Sequence, residues 1–290
     1  MKNEPLSKHT YYRIGGPADQ LEIPTSIQDL KSIAEEIQKT KSPFFILGLG
    51  SNILASDVGF RGTIIKSTRI DLGIELINPQ HIRVGASVAN STLLRKAAQE
   101  GWAGLEFLTG IPGSIGGAVA MNAGTHLGEV KDRIVQVDYF SLSQGKVIST
   151  AGNDLKFEYR KNLFLPSDAI VTSTLWRITP DNPADVKARI DELLQRRKQT
   201  QPIDYPSCGS VFKNPKAHGM HAWQVIDKLG LRGHQIGKAQ FSEKHPNFII
   251  NLGEAKAADV YGLMQLAKQR AQQELNVPLE EEVKYLGLQH

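Results

Sequence analysis

Apolar positions along this chain follow two periods, one near 3.6 residues and one of 2. Ile27, Leu30, Ile33, Ala34 and Ile37 repeat at helical spacing behind Ser26, a capping residue with Asp29 three positions on. A helix is predicted over 26–39. Pro43 then opens a short buried strand, Phe44-Phe45-Ile46-Leu47, and Thr63-Ile64-Ile65 reads as another. After a strand near Ile82-Arg83-Val84, the apolar face of Leu93, Leu94 and Ala97 predicts a helix from Asn90 to Glu100, stopped by Gly101. Strands are expected at 135–141, 147–149 and 169–178. Asn182-Pro183 carries the chemistry of a helix start, with a stripe of Val186, Ile190, Leu193 and Leu194 that ends before Gln201-Pro202. The remainder predicts a helix at 222–229, strands at 239–241 and 248–251, and a long helix at 257–275 striped by Val260, Leu263, Met264, Ala267 and Ala271. A last strand falls at 282–286. The fold class expected is α+β built from α/β elements, in three segments of 1–70, 71–200 and 201–290.

Two of the connections between these elements are glycine-dense. Gly48-Leu49-Gly50-Ser51-Asn52 follows the strand at 44–47, and Gly110-Ile111-Pro112-Gly113-Ser114-Ile115-Gly116-Gly117 follows the helix at 90–100. Glycine permits φ > 0 and close backbone approach to a ligand, and successive bare N–H groups form an anion-binding concavity. One such loop reads as a tight turn. Two, each with a serine and a following asparagine (Asn52, Asn122), favour a long ligand with a diphosphate, such as a dinucleotide. Neither is a G-x-x-x-x-G-K-[ST] phosphate loop, and neither spells the nicotinamide fingerprint G-x-G-x-x-G between a strand and a helix.

Composition narrows the class. The 290 residues are 40% hydrophobic and 22% charged with a net charge of +4, which is ordinary for a globular protein with a sizeable core. Basic residues form no stripe, and Arg196-Arg197-Lys198 sits at a predicted helix end, so no nucleic-acid partner is expected. The single cysteine, Cys208, implies a reducing compartment. Met1–Pro5 has no apolar leader core and no window reaches about 18 apolar residues, so neither export nor a membrane partner is expected and the cytoplasm is the default location.

Three places carry candidate chemistry. Tyr159-Arg160-Lys161-Asn162 is a polar turn in which Arg160, taken alone, reads as a solvated charge. Ser207-Cys208-Gly209-Ser210-Val211-Phe212-Lys213-Asn214-Pro215 has the texture of a site loop, or of an ordinary turn with local serine caps. It is not G-x-S-x-G, which excludes an esterase elbow, and Cys208 reads as packing before it reads as a nucleophile. Glu280-Glu281-Glu282 is either a solvated acidic run or part of a site. The eight histidines show no metal-ligand spacing, so no catalytic metal is expected.

These pieces together resemble the UDP-N-acetylenolpyruvoylglucosamine reductase family almost end to end. The resemblance rests on His9-Thr10-Tyr11-Tyr12-Arg13-Ile14-Gly15-Gly16-Pro17-Ala18, on both glycine loops with Asn122-Ala123-Gly124, on Tyr159-Arg160, and on Gly209–Pro215. It continues through Ala239-Gln240-Phe241-Ser242-Glu243-Lys244-His245-Pro246-Asn247-Phe248 and ends at Glu280–Val283. The length suits the shorter type of the family. Leu49 stands where glycine is frequent, Glu-Glu-Glu-Val where Glu-Pro-Glu-Val also occurs, and Thr200 where longer members carry a substrate-binding lysine.

The resemblance implies a two-subdomain FAD-binding fold of the vanillyl-alcohol-oxidase/PCMH type (1–70 and 71–200) with a C-terminal α+β substrate domain (201–290). It implies noncovalent FAD held by Arg13, Gly48, Gly50, Ser51, Asn52, Gly110, Pro112, Gly113, Ser114, Gly116, Gly117, Asn122 and Gly124. NADPH reduces the flavin, and a hydride then passes to the vinyl carbon of UDP-N-acetylglucosamine enolpyruvate, leaving negative charge that must be protonated. Arg160 steadies that charge, Ser210 is the acid, and Glu282 orients and stabilises the centre. Tyr159, Lys213, Asn214, Gln240, His245 and Asn247 are the implied substrate contacts, and a monomer is expected. Another FAD-dependent oxidoreductase of the same fold, acting on an alcohol or lactone, is the alternative.

Overall fold

The computed structural model describes residues 1–70 and 72–288 and divides the chain into two compact units. One comprises Met1–Gln20, Gly50–Gly62 and Lys198–His290, the other Leu21–Leu49 and Thr63–Arg197. These differ from three contiguous segments, because residues 1–20 and 50–62 cluster with the C-terminal part. The helices are α1 (Ile27–Thr40), α2 (Asn90–Glu100), α3 (Ile115–Ala120), α4 (Pro183–Thr200), α5 (Ala222–Lys228) and α6 (Ala257–Leu275). None of them is long and apolar enough to cross a membrane.

The unit of 21–49 and 63–197 is organised by a five-stranded antiparallel sheet in the order Lys146–Ala151, Ile134–Ser141, Ala169–Arg177, His81–Gly85, Ile74–Asn78. Its central strand, Ala169–Arg177, is buried along most of its length because both sheet faces are covered. Ile170 joins Phe140 and Leu142 against Leu30, Ala34 and Ile37 of α1, while its neighbour Val171 joins Val84, Val137 and the inner faces of α2 and α3. Consecutive residues thus serve opposite cores, as strand geometry requires. The α1 start is the predicted capping box: Asp29 N donates to Ser26 Oγ at 3.1 Å and Ser26 N donates to Asp29 Oδ2 at 3.2 Å. Only Val186 and Ile190 of the stripe predicted for α4 are buried. Leu194 is exposed, because the core that receives the first half of the helix stops at Ile190.

The other unit packs α5 and α6 against a three-stranded antiparallel sheet, Gln235–Ile236, Ala239–Phe241 and Ile249–Asn251. The predicted α6 stripe is buried whole, together with Tyr12, Leu54, Val211, Phe212 and Phe241. Lys2–Pro5 pairs antiparallel with Pro17–Glu22, a hairpin its polar sequence did not announce. Lys284–Leu286 runs parallel to Ile53–Ala55. The Asp57 carboxylate accepts from Ala257 N at 2.7 Å and Ala258 N at 3.0 Å, so a residue 200 positions earlier satisfies the first donors of α6.

One sheet residue carries a pH-dependent share of stability. Asp138 accepts from Ser149 and Ser173 hydroxyls, each at 2.6 Å, from Gln136 at 2.8 Å and from Arg83 at 3.0 Å. Burial opposes ionisation, but these donors outweigh it and hold the carboxyl below its ordinary value of 3.8. A depressed folded-state pKa stabilises above the unfolded value and the gain is lost as pH falls through the folded one. Asp138→Asn should therefore cost about 2 kcal/mol in urea unfolding at neutral pH, the scale of hydrogen bonds to a charge. The difference from wild type should shrink as the pH is lowered below the Asp range.

Candidate active site

Residues 210–213 lie between two other extended segments of their unit. On one side Ser210 bridges Phe248, and Val211 N donates to Asn247 O at 2.8 Å. On the other, Glu282 N donates to Val211 O at 2.9 Å, Phe212 bridges Glu281, and Lys213 N donates to Glu280 O at 2.8 Å. The buried Asn247 side chain closes on Phe212 from both ends: Phe212 N donates to Oδ1 at 3.1 Å, and Nδ2 donates to Phe212 O at 2.9 Å. Ser210 and Glu282 therefore sit on adjoining rungs. Asn52 Nδ2 donates to Glu282 O at 3.0 Å, and Asn52 O accepts from Lys284 N at 3.0 Å, so the first glycine loop grips the backbone of the same glutamate.

Cys208 lies beneath this ladder. Burial pushes its thiol up to about 12, and the nearby Glu282 charge acts in the same direction. A thiol held protonated is no nucleophile at neutral pH. The Lys213 ammonium pairs with the Glu280 carboxylate. Asn214 Oδ1 accepts from Ala222 N at 3.0 Å and so caps α5, Gln240 Nε2 donates to Gly233 O at 3.1 Å, and the His245 ring meets Phe248 edge-on at 4.9 Å.

The second glycine loop lies in the other unit, zipped to residues 86–90. Gly116 N donates to Ala86 O at 2.9 Å, Ile115 N to Val88 O at 2.9 Å, and Asn90 N to Gly113 O at 3.0 Å. A Cβ on Gly48 would stand 3.3 Å from Ser114 Oγ, so the start of the first loop and the middle of the second share one wall. The chain passes from one unit to the other inside the first loop, between Leu49 and Gly50. Gly50 has φ +71°, and a Cβ there would fall 2.3 Å from His9 O.

Arg160 occupies a left-handed turn, φ +58°, a costly conformation for a side chain of its size. Its guanidinium donates to Gly124 O at 2.8 Å, lies 3.9 Å from Glu129 and stacks 4.8 Å from the Tyr159 ring centre. Asn122 is fully buried and donates to Glu129 at 3.0 Å and to Glu158 O at 2.9 Å, while its Oδ1 accepts from Lys131 N at 3.1 Å. Glu129 thus steadies both Arg160 and the turn beside it.

A family model described as an FAD binding domain matches residues 18–151, and one for the UDP-N-acetylenolpyruvoylglucosamine reductase C-terminal domain matches residues 201–286. The UDP-N-acetylenolpyruvoylglucosamine reductase of Halalkalibacterium halodurans is 40% identical over 98% of this chain and 93% of its own length. The chain belongs to the UDP-N-acetylenolpyruvoylglucosamine reductase family. The reductase of Geobacter metallireducens is 38% identical over 99% of the chain and 94% of its own. The crystal structure of the Thermus caldophilus reductase matches with a TM-score of 0.81 at 34% identity, covering 98% of this chain and 97% of that one. As a member of this reductase family the chain is an FAD-dependent oxidoreductase with NADPH as its reductant.

The residues present fit FAD. A Cβ on Gly48 would stand 3.3 Å from Ser114 Oγ, so the two loops approach closely at a position without a side chain, as a cradle for a diphosphate requires. The expected FAD and substrate contacts are not alike, however. The Asn122 and Asn247 amides are buried and hydrogen-bonded to the protein's own backbone and to Glu129, so they also support Arg160 and the Ser210 loop. Arg13 is exposed, at φ +55° in a tight turn. Reading the sequence missed Glu129, the Asn52 grip on Glu282, and Asp57, because none lies in a local motif with its partner.

Two glycines expected to act alike also separate. Gly113 is half-buried in the loop, with φ in the left-handed region at +135°. A Cβ on Gly116 would press on Ala86 at 3.2 Å, with Val171 at 3.6 Å. Gly113→Val forces a branched side chain into that left-handed backbone and should lower both the flavin-to-protein ratio and the apoprotein Tm. Gly116→Val should lower the apoprotein Tm itself, by overpacking of about 1–3 kcal/mol. A wild-type flavin-to-protein ratio in Gly113→Val, or a wild-type apoprotein Tm in Gly116→Val, would contradict this reading.

Proposed function

We propose that the chain reduces UDP-N-acetylglucosamine enolpyruvate to UDP-N-acetylmuramate, the step that supplies peptidoglycan synthesis, with residues Arg160, Ser210 and Glu282 carrying the second half-reaction. The observation that supports it best is the hydrogen bond from Glu282 N to Val211 O, which ties the backbone of Glu282 to the residue next to Ser210. The glycine loops at 48–52 and 110–117 would hold FAD, which when bound would supply hydride transfer from NADPH to the vinyl carbon of the substrate.

The chain's own groups answer the charge that this leaves. Arg160 is permanently cationic and forked for a carboxylate, so it stabilises the developing enolate. Ser210 donates a proton to the carbon that bears the carboxylate. An alcohol is a weak acid, and Glu282 orients the donor and the centre. Lys213, paired with Glu280 in the free protein, takes the diphosphate in exchange. Residues 18–151 serve the flavin and residues 201–286 the sugar nucleotide. The enzyme works on a soluble small molecule, as a monomer in the cytoplasm.

Separating the half-reactions anaerobically tests these roles. Ser210→Ala should bleach with NADPH at the normal rate and reoxidise with the enolpyruvyl substrate about 10²–10⁴-fold more slowly, the usual worth of a general acid. Ser210→Cys should recover part of that loss, since a thiol is the stronger acid. Equal slowing of both halves would remove Ser210 from proton donation. Arg160→Lys keeps the charge but loses the fork, and should slow reoxidation about 10²–10³-fold, as for a lost oxyanion donor. A change confined to KM would instead mark Arg160 as a uniform binding group.

A further inference from the structure

Tyr159-Arg160 is the two-residue tip of a short hairpin that pairs Phe157 with Asn162 and Glu158 with Lys161. A hairpin of this length has little stability of its own, so contacts with its surroundings decide where its tip stands. Those contacts converge on the segment that leaves the second glycine loop through α3. Asn162 Nδ2 donates to Ala120 O at 2.7 Å, Asn122 Nδ2 donates to Glu158 O at 2.9 Å, and the Arg160 guanidinium donates to Gly124 O at 2.8 Å. The last carbonyls of a helix have no partner within it. At the end of α3, Gly117 O, Val119 O and Ala118 O accept from the backbone N–H groups of Met121, Asn122 and Ala123, whereas Ala120 O accepts from Asn162. The Asn162 amide oxygen in turn accepts from Leu165 N at 3.1 Å. Asn162 thus bridges the end of α3 to the chain leaving the hairpin, and α3 is a firm support, with Ile115, Ala118 and Val119 buried.

We propose that Asn162 is a positioning residue for Arg160, setting through Ala120 O the distance between the guanidinium and the second glycine loop. The Asn162 bond enters at the foot of the hairpin, and the Arg160 bond to Gly124 at its tip. With foot and tip both tied to residues 120–124, the hairpin is held at one tilt, and the left-handed turn at Arg160 keeps its place in it. The amide suits this duty because one end donates to a carbonyl while the other accepts from an N–H. Asn162 acts through Arg160 and is assigned no contact with flavin or substrate. The proposal rests on the assignment of Arg160 to the second half-reaction. An amide that served structure alone would move stability and flavin content and leave the rate of that half-reaction as it is.

Purified holoenzymes of Asn162→Ala, Asn162→Asp, Arg160→Ala and the Asn162→Asp/Arg160→Ala pair decide the point, with the two half-reactions followed separately in single turnovers. In the two Asn162 variants, flavin content and NADPH-driven bleaching should match wild type. Their reoxidation at saturating enolpyruvyl substrate should fall about 10–100-fold, the scale of a misplacement near 1 Å, with the concentration for half-saturation unchanged. Asn162→Asp keeps an acceptor for Leu165 N and loses the donor to Ala120 O, so it should be as slow as Asn162→Ala. It also serves as the test should the alanine variant fail to fold. The double variant should reoxidise no more slowly than Arg160→Ala, because Asn162 acts through that side chain. Wild-type reoxidation in Asn162→Asp, flavin loss or slowed bleaching in both Asn162 variants, or a double variant slower than Arg160→Ala by the full factor of the single change would overturn the proposal. Wild-type reoxidation in Arg160→Ala would overturn instead the role of Arg160 on which it rests.

Discussion

Both hydrogen-bonding groups of the Phe212 backbone are taken by one buried side-chain amide, that of Asn247. A buried peptide left without partners would cost a few kcal/mol, so residues 210–213 have one register in which they are satisfied. In a segment of extended backbone, a slip by one residue turns every side chain to the other face. Holding Phe212 inward therefore holds Ser210 where it is. The same segment offers its other edge to residues 280–282, so the position of Glu282 follows from that of Phe212.

Arg160 is held by a different device. Its turn requires positive φ, and the cost is met by the bond to Gly124 O and by Glu129, which is itself tied to Asn122. Backbone strain of this kind persists only where surrounding contacts over-determine it. A lone solvated arginine would relax out of that conformation. The polar turn that reads as a surface loop in the sequence is thus a braced mount for a fixed cation.

Acidic residues show how little residue type says about duty. Glu129 braces an arginine, Asp57 caps a helix far along the chain, Glu280 reaches Lys213 and its neighbour Glu281 reaches Lys268. In the sequence that triplet reads equally as a solvated run. What separates Glu280 from Glu281 is the alternation of an extended segment, which turns Glu281 to α6.

Local periodicity determined much of the fold. The capping box and apolar spacing of α1, the whole of α2 between Asn90 and Gly101, and the stripe of α6 all stand where the sequence set them. Such signals are legible because capping and helical amphipathicity act over four residues or fewer. The glycine loops were visible as candidates in their own composition, and the family resemblance gave Arg160, Ser210 and Glu282 their expected roles. The hairpin of Lys2–Pro5, the short helix α3 inside the second glycine loop, and the exposed half of α4 were not visible, because tertiary packing alone selects them. The supports of the site were least visible of all. Asn52 meets Glu282 across 230 residues, and Asn247 meets Phe212 across 35. Both grip backbone groups, and a peptide carbonyl is the same at every residue, so nothing in the side-chain alphabet marks which one a distant amide will find.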